Sequence, residues 1–239
     1  MDIGSYRKVL LHNNLVGEQS IAAAEIHLDS PDGKSLGRQL VKTSLLTPWQ
    51  HQRILRGQRN FRIGDYALLR PLAKGGSGQV FLARRRDATS LTALKLLPPS
   101  ESQNPANILR FEREGEVHLS LDHPNIVEAH ECGVDGNIHF LALEYVEGMD
   151  LAQAVQQNGT YAPEAAADCI AQACSAIAYL HAADFIHRDI KPANLIITRD
   201  SEVKLADLGI VRLFDKQGPS ITIELNVQVL GTLEYMAPE

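Results

Sequence analysis

The spacing of apolar residues changes along the chain, and each change predicts a different kind of element. In the first 60 residues, short helical patterns alternate with turns, as in "QSIAAAEIHL", "SLGRQLVKT" and "TPWQHQRILRG". From Tyr66, alternating apolar and polar runs predict consecutive antiparallel strands, "YALLRPLAKGG", "GQVFLARRR" and "LTALKLLP". We therefore expect a helical extension over residues 1–60 and a sheet beginning near residue 66.

The last of the three helical patterns carries signals for both of its ends. Thr47 can cap the helix, Pro48 suits its first turn, and Gln50 completes the spacing of a capping box. Gly57 can end the helix in a left-handed conformation. We find no internal repeat in the sequence of the extension or elsewhere in the chain.

Downstream of the first strands, the pattern predicts a mixture of helices and strands. "ANILRFEREGEVHLSLD" predicts a helix that Gly115 weakens, and "IVEAHECGV" and "IHFLALEYV" predict two further strands. "APEAAADCIAQACSAIAYLHAAD" predicts a long helix, followed by the short strands "NLIIT" and "VKLAD". The expected buried stripe of the long helix is Ile170, Ala173, Cys174, Ile177 and Leu180. The expected fold class is α+β.

Charge argues against a nucleic-acid-binding protein. The net charge is −6 and the isoelectric point is near 5.8, whereas nucleic-acid binders gather Lys and Arg on one face. The one basic run is Arg84, Arg85 and Arg86. A solvated turn between two strands is favoured there over a patch for phosphate or a partner.

Cysteine and histidine spacing gives no metal or disulfide pattern. The three cysteines are odd in number and lack CxxC spacing, so we expect Cys169 and Cys174 to be small core residues. His12, His27 and His51 are expected at the surface. No window of about 18 apolar residues occurs, which predicts that the visible chain has no membrane segment. We expect a cytoplasmic location, with a membrane anchor in a region after residue 239 of a longer protein as the alternative.

Three stretches carry candidate chemistry of increasing specificity. The turn in "AKGGSGQV" can cover phosphates with its backbone N–H groups, although a plain hairpin is favoured on this stretch alone. Lys95 ends an apolar strand, where its ammonium needs an anionic partner. Glu114 is a candidate partner, with a surface lysine and a solvated glutamate as the equal alternative.

The most specific stretch is "HRDIKPANLIIT", residues 187–198, with "DLG" following at Asp207. It supplies an acid to accept a hydroxyl proton and a lysine to offset charge on a transferred phosphoryl group. It also supplies an amide, which with Asp207 can hold magnesium. This order of groups predicts phosphoryl transfer.

With these motifs in order, residues 66–239 resemble a Hanks-type, eukaryotic-like protein kinase. The resemblance implies a bilobal fold, with a small antiparallel sheet and one helix in an N lobe of residues 66–146. A mainly helical, incomplete C lobe would occupy residues 147–239. It also implies Mg-ATP as phosphoryl donor and Ser or Thr hydroxyls of proteins as acceptors; the oligomeric state stays open.

The resemblance assigns roles to individual residues. Asp189 becomes the catalytic base, Lys191 the lysine that contacts the phosphoryl group, Lys95 the phosphate-binding lysine and Glu114 its ion-pair partner. Asn194 and Asp207 become the magnesium ligands. The implied nucleotide-binding residues are Leu72, Ala73, Lys74, Gly75, Gly76, Ser77, Gly78, Gln79 and Val80 in the phosphate-covering loop, with Ala93, Lys95, Glu144, Val146, Asp150 and Ile196. In this reading Leu143 is the gatekeeper, and Glu144 and Val146 would meet adenine through their backbone.

Two positions depart from the family pattern. Ala73 stands where the first loop glycine is expected, and Leu208 replaces the Phe of D-F-G. Neither change removes a charged group.

Lys191 and "GTLEYMAPE" resemble the serine/threonine branch of the family. Arg188 implies activation by phosphorylation, with Thr222 the favoured site over Ser220 and Thr232.

The two ends of the chain also invite expectations. "LLTPWQHQRILRGQRNFRIGDYALLRPL" resembles the helical lead-in of planctomycete-type bacterial kinases. The chain stops at the A-P-E motif, so we expect it to be a fragment of a longer kinase, poorly stable by itself. The rival functions are a pseudokinase scaffold, against which the intact charged residues argue, and a small-molecule phosphotransferase, in which "HRDIKPAN" and "GTLEYMAPE" are not expected together.

Overall fold

The structure is a computed structural model that describes residues 1–75, 78–208, 212–213 and 233–235. The chain divides into two compact units. The first unit comprises Met1–Leu96 and Val134–Phe140, and the second comprises Leu97–Gly133 and Leu141–Glu239.

Four helices precede the sheet in the first unit. They are α1 Ile3–His12, α2 Glu18–Glu25, α3 Gly33–Lys42 and α4 Pro48–Leu55. They bury a core of their own, whose fully buried side chains are Tyr6, Leu10, Ile21, Leu36, Leu40, Ile54 and Phe61. The three predicted helices are confirmed, and α1 is added to them.

The start of α4 has the predicted capping box. The Thr47 hydroxyl accepts from Gln50 N–H at 3.1 Å, and Gln50 Oε1 accepts from Thr47 N–H at 2.9 Å. Gly57 follows the helix at φ +91°, a conformation that favours glycine. Both end signals read from the sequence are confirmed.

The four helices form two copies of one helix hairpin, so the expectation that the chain contains no repeat is wrong. α1 and α3 begin 30 residues apart, at Ile3 and Gly33, and α2 and α4 keep the same offset. Asp2 and Asp32 each accept from the backbone N–H three residues later at 2.8 Å, and these two residues form a bridge with each other.

The turn inside each hairpin repeats as well. Asn14 at φ +48° corresponds to Ser44 at φ +57°, and a leucine follows each of them. Few positions carry identical residues in the two copies, because the shared requirement is an apolar side chain facing the core. A comparison of residue identities therefore misses the repeat.

The sheet follows directly after these helices. Its strands are β1 Arg62–Ile63, β2 Tyr66–Gly75, β3 Gly78–Arg85, β4 Leu91–Leu96, β5 Ala129–Asp135 and β6 Ile138–Glu144. The order across the sheet is β1-β2-β3-β4-β6-β5, and β1 to β4 pair antiparallel in sequence order. The predicted antiparallel strands are confirmed. The first unit holds the turn-proximal ends of β5 and β6.

The second unit combines helices with short strands. Its helices are α5 Pro105–Leu119, α6 Leu151–Asn158 and α7 Pro163–Ala182. Its further strands are β7 Gly148–Asp150, β8 Phe185–Ile186, β9 Leu195–Thr198, β10 Val203–Leu205 and β11 Arg212–Leu213. Strands β10, β9 and β7 form one small sheet, and β11 pairs with β8. Single 3₁₀ turns lie at Pro192–Asn194 and Leu233–Tyr235.

The buried stripe of α7 differs from the predicted one. Ala173 and Leu180 are buried as expected, but Ile170 is 54% exposed and Cys174 is also exposed. The other buried positions are Cys169 and Ala176. Apolar alanines lie on every side of this helix, so the sequence pattern did not define which face packs.

Gly115 does not interrupt α5, which continues to Leu119. A Cβ at residue 115 would collide with the side chain of Cys132 in the same unit. The glycine therefore lets α5 approach Cys132 closely, at the usual cost of a glycine in helix propensity. Within the described ranges, none of the helices combines the length and the apolar character that crossing a membrane requires.

Candidate active site

The glycine-rich turn joins β2 to β3 in the first unit. Ala73 pairs with Val80, Lys74 with Gln79 and Gly75 with Gly78. Gly78 has φ +131°, a value that favours glycine. Ala73 occupies a paired strand position, so the strand accommodates a side chain at this residue.

The rest of this loop is partly described. Leu72 lies at a register shift between Pro71 and Ala73. Gly76 and Ser77 lie outside the described residues. Their predicted contact with phosphates stays a prediction.

Strand β4 places Lys95 directly across from Val80, at the end of the glycine-rich hairpin. Lys95 is 4% exposed, which is uncommon for a lysine unless its ammonium group meets an anionic group. Ala93 pairs with Leu82 on the same two strands. Glu114 lies on α5, in the second unit, and its pairing with Lys95 stays a prediction.

In the second unit, residues 187–194, here called the catalytic loop, connect β8 to β9. The Asp189 Oδ2 atom lies 2.7 Å from Lys191 Nζ. Asn194 Nδ2 donates to the same Asp189 oxygen at 3.1 Å and to the Asp189 carbonyl at 2.8 Å. The loop therefore brings the predicted base, the predicted lysine and a predicted metal ligand into one cluster.

The hairpin of β9 and β10 brings Asp207 close to this cluster. Leu195 pairs with Leu205, and the Asn194 carbonyl accepts from Ala206 N–H at 2.8 Å. The two predicted magnesium ligands, Asn194 and Asp207, therefore flank the same end of the hairpin. Carboxylate and amide oxygens are the donors that Mg²⁺ prefers, with water and phosphate oxygens supplying the rest of its octahedron.

The donor set fits magnesium better than a metal that needs a full protein cage. Among the described residues, no group of three or more His, Cys, Asp or Glu side chains could hold a metal ion. A pair of oxygen ligands is what a metal bound jointly by protein and nucleotide requires.

Two residues of this site have unusual backbone conformations. Arg188 has φ +68° and Asp207 has φ +60°, both in the left-handed region. Such residues cost roughly 1–3 kcal/mol each and cluster at functional sites. Leu208, which follows Asp207, is 1% exposed and packs into the core of the second unit. The leucine thus performs the apolar packing expected of the Phe that it replaces.

His187 anchors the start of the catalytic loop. It is 2% exposed, and its Nδ1 atom accepts from Asp189 N–H at 3.3 Å. Burial lowers the pKa of His187, while the Ala206 backbone and the carboxylate of Asp207 oppose that shift. The imidazole is therefore held neutral and acts as a fixed support for the loop.

The predicted nucleotide contacts of the second unit lie on β6, β7 and β9. Asp150 pairs with Ile196 across β7 and β9, so these two residues are neighbours. Asp150 also caps α6, because its Oδ1 atom accepts from Gln153 N–H at 2.8 Å. Val146 is 9% exposed and follows β6.

Two contacts of the site were not anticipated from the sequence. Lys204 Nζ lies 2.8 Å from Glu144 Oε2, and Glu128 N–H donates to the same oxygen at 3.2 Å. Lys204 is separated from Glu144 by 60 residues, and nothing in the sequence pairs them. The second role of Asn194, as a donor to Asp189, was also missed.

Several expectations concern residues outside the described part of the chain. These are the activation-segment residues Ser220, Thr222 and Thr232, and the A-P-E motif at residues 237–239. The roles assigned to them stay predictions, as does the planctomycete-type lead-in.

Comparison with known proteins agrees with the motifs. Residues 66–239 match the protein kinase domain family. The chain is 37% identical over 176 residues to the serine/threonine-protein kinase PrkC of Bacillus subtilis, which covers 74% of this chain and 26% of that protein. It is 36% identical over 178 residues to the serine/threonine-protein kinase PknB of Mycobacterium tuberculosis, with 73% of this chain and 28% of that protein covered. The chain therefore spans about a quarter of the length of these relatives.

A solved structure shows the same fold. The PknI kinase domain of Mycobacterium tuberculosis is 32% identical, with a TM-score of 0.54 over 62% of this chain and 61% of that one. The predicted α+β, protein-kinase-like fold is confirmed. The chain belongs to the protein kinase domain family, of the Hanks type found in bacterial serine/threonine kinases.

Proposed function

We propose that the protein transfers the γ-phosphoryl group of ATP to Ser or Thr hydroxyls of a protein substrate. The observation that carries this proposal is the cluster of Asp189, Lys191 and Asn194 in the catalytic loop. A carboxylate held by an ammonium and an amide within 3.1 Å is a fixed proton acceptor beside a fixed positive charge.

Each residue of the cluster has a distinct part in the reaction. The Asp189 carboxylate accepts the proton of the acceptor hydroxyl as its oxygen forms a bond to the γ-phosphorus. The bond from that phosphorus to the bridging oxygen breaks, and ADP leaves. Lys191 offsets charge on the transferred group, and Asn194 keeps the Asp189 carboxylate oriented toward the hydroxyl.

Each unit supplies candidate residues for binding the nucleotide. Backbone N–H groups of the glycine-rich turn and the ammonium of Lys95 suit its phosphates. Asn194 and Asp207 would hold Mg²⁺, which neutralises phosphate charge when it is bound. Asp150 retains a second carboxylate oxygen that suits a ribose hydroxyl.

We assign this activity to residues 66–239 and a packing or regulatory role to residues 1–60. ATP is the donor, so we place the reaction in the cytoplasm.

The test is phosphate incorporation from γ-labelled Mg-ATP into a generic acceptor protein, comparing the wild-type chain with Asp189→Asn. Loss of the base should lower the transfer rate by about 10²–10⁴-fold while leaving ATP affinity nearly intact. Asp184→Asn is the matched control, since Asp184 is exposed and its φ of +62° suits asparagine.

The control should keep wild-type activity. Equal activity of wild type and Asp189→Asn would overturn the assigned role. Transfer to small alcohols or aminoglycosides in preference to protein would replace the protein substrate in this proposal. ATP binding without any transfer would favour a pseudokinase.

A further inference from the structure

A cavity of about 250 Å³ lies in the first unit, away from the glycine-rich turn. The two left-handed turns of the helix-hairpin repeat line one side of it through Asn14 and Ser44. Residues of β1, β2 and β3 line the other side. Both copies of the repeat thus contribute the same structural position to one cavity.

The lining of this cavity is strongly basic. Among its lining residues, all within the described part of the chain, four are arginines and one, Asp65, is acidic. The arginines are Arg62, Arg84, Arg85 and Arg86. The whole chain carries a net charge of −6, so this concentration of positive charge is local and opposite in sign to the rest of the protein.

Two of the arginines converge on one atom. With the Asn14 amide oriented so that its nitrogen donates to the Leu11 carbonyl at 3.2 Å, its oxygen accepts from Arg86 Nη2 at 3.0 Å and Arg62 Nη1 at 3.2 Å. Arg86 is fixed by its backbone N–H, which donates to the Asp65 carbonyl at 3.0 Å. A neutral amide oxygen therefore receives two guanidinium groups.

The acids nearby do not balance this charge. Asp65 Oδ1 lies 3.6 Å from Arg62 Nη2, and the Asp65 side chain is 63% exposed. Arg85 pairs with Asp87 at 3.0 Å, where both side chains are about half exposed or more. Exposed pairs of this kind contribute little free energy, so they compete weakly with a ligand.

The remaining polar groups of the cavity serve the fold. Asn13 donates to the Val9 and Arg59 carbonyls, and Thr47 Oγ1 donates to the Leu69 carbonyl at 2.6 Å. Gln50 Nε2 donates to the Leu68 carbonyl at 2.7 Å. These side chains make the cavity wall rigid and leave ligand recognition to the arginines.

We propose that this arginine-lined cavity binds a phosphate group. A planar guanidinium offers paired N–H donors that match phosphate oxygens, and a phosphomonoester carries about −1.5 to −2 charge at pH 7. The cavity volume of about 250 Å³ lies below the range of drug-sized pockets, which suits a small anion. The site joins the helical extension to the sheet, so a bound phosphate stabilises their packing.

The test titrates inorganic phosphate into the whole chain at constant ionic strength, with the dissociation constant measured by calorimetry and the melting temperature in parallel. Phosphate should raise the melting temperature of the wild type more than chloride does. Arg62→Gln and Arg86→Gln should each weaken binding by about tenfold or more. Arg56→Gln is the control, because Arg56 is exposed in the same unit and does not line the cavity.

Phosphate can also bind at the glycine-rich turn, and the variants separate the two sites. Affinity that is unchanged in both Arg62→Gln and Arg86→Gln would overturn the proposal, as would equal losses in Arg56→Gln. A second arm compares glycerol phosphate with a phosphoserine peptide. Tighter binding of either one, dependent on Arg86, supports the site and identifies a free metabolite or a phosphorylated side chain as the source.

Discussion

Two buried asparagines, Asn13 in the helical extension and Asn194 in the catalytic loop, have different roles. Asn13 is 3% exposed and connects three main-chain groups. Its amide donates to the Val9 carbonyl at 2.9 Å and the Arg59 carbonyl at 2.7 Å, and its oxygen accepts from Phe61 N–H at 2.8 Å. It ties the end of α1 to the segment that enters β1.

Asn194 is nearly as buried, at 6% exposed, but one of its hydrogen bonds reaches a charged side chain, the Asp189 carboxylate. Its neighbours Arg188 and Asp207 are non-glycine residues in the left-handed region. Burial alone therefore does not distinguish a structural polar residue from a functional one. The distinguishing feature is whether its partners are main-chain groups or an ionised side chain.

The largest expected effect is on catalysis. Asn194→Ala should lower the transfer rate by about 10³-fold, because Asp189 loses its amide donor and a magnesium ligand is removed. The rate constant under saturating Mg-ATP measures this effect, with circular dichroism to verify folding. Asn158→Ala, at an exposed position in the same unit, should have a transfer rate within about twofold of wild type, because most surface substitutions have small effects. An Asn194→Ala enzyme with wild-type activity would remove the contrast with Asn13.

The next effect is on packing in the helical extension. A Cβ at Gly37 would collide with the ring of His51 and the hydroxyl of Tyr6, which lie 2.7 Å apart in a buried hydrogen bond. Gly37→Ala should lower the free energy of unfolding by about 3 kcal/mol, as measured by urea denaturation. At Gly17, no described atom lies within 4 Å of an added Cβ, so Gly17→Ala should cost less than about 1 kcal/mol. Equal losses in the two variants would contradict this reading.

A smaller loss is expected at the structural asparagine. Asn13→Ala leaves two carbonyls and one N–H without their partner, which should lower the free energy of unfolding by about 2 kcal/mol. Thr43, its counterpart in the second hairpin, bonds only carbonyls of its own helix in the contacts that the structure describes. Thr43→Ala should therefore change stability by less than about 0.5 kcal/mol.

The contrast between Asn13 and Asn194 also predicts the catalytic activity of Asn13→Ala. At a temperature where Asn13→Ala is folded, its transfer rate should equal that of the wild type. A tenfold loss in folded Asn13→Ala would show that the extension contributes to catalysis.

The smallest effect is a dependence of stability on pH. Burial, followed by the charges of Arg38 and Lys34, lowers the pKa of His51. The unfolded chain therefore takes up a proton near the ordinary histidine pKa of about 6.5, while the folded chain does not. The contribution of His51 to stability is complete above that pH and is lost as the pH falls through and below it. His187 has a lowered pKa in the second unit and acts in the same direction.

His51→Gln should therefore show a shallower fall in the free energy of unfolding between about pH 7 and pH 5 than the wild type. Urea denaturation at several pH values measures both slopes. A steeper fall in the variant would show that the sign of the His51 contribution is wrong.

The sequence predicted most elements because their signals are local. The capping box at Thr47, the glycine after α4 and the alternation in β2 to β4 each depend on residues a few positions apart. The prediction of the buried face of α7 was wrong at Ile170 and Cys174, because an alanine-rich helix has no unique apolar stripe. His51 was expected at the surface and is buried, because its partner Tyr6 is 45 residues away.

By itself, the sequence determined the family, the order of the motifs and the identity of the candidate catalytic residues, because "HRDIKPAN" and "DLG" are short local motifs that are recognised without knowledge of the fold. Only the tertiary structure decided which partners those residues meet. The donation from Asn194 to Asp189, the pairing of Lys204 with Glu144 and the convergence of Arg62 and Arg86 on Asn14 all depend on strand register and left-handed turns. These residues are far apart or differently oriented in the extended chain, and the packing of the whole unit determines which of them meet.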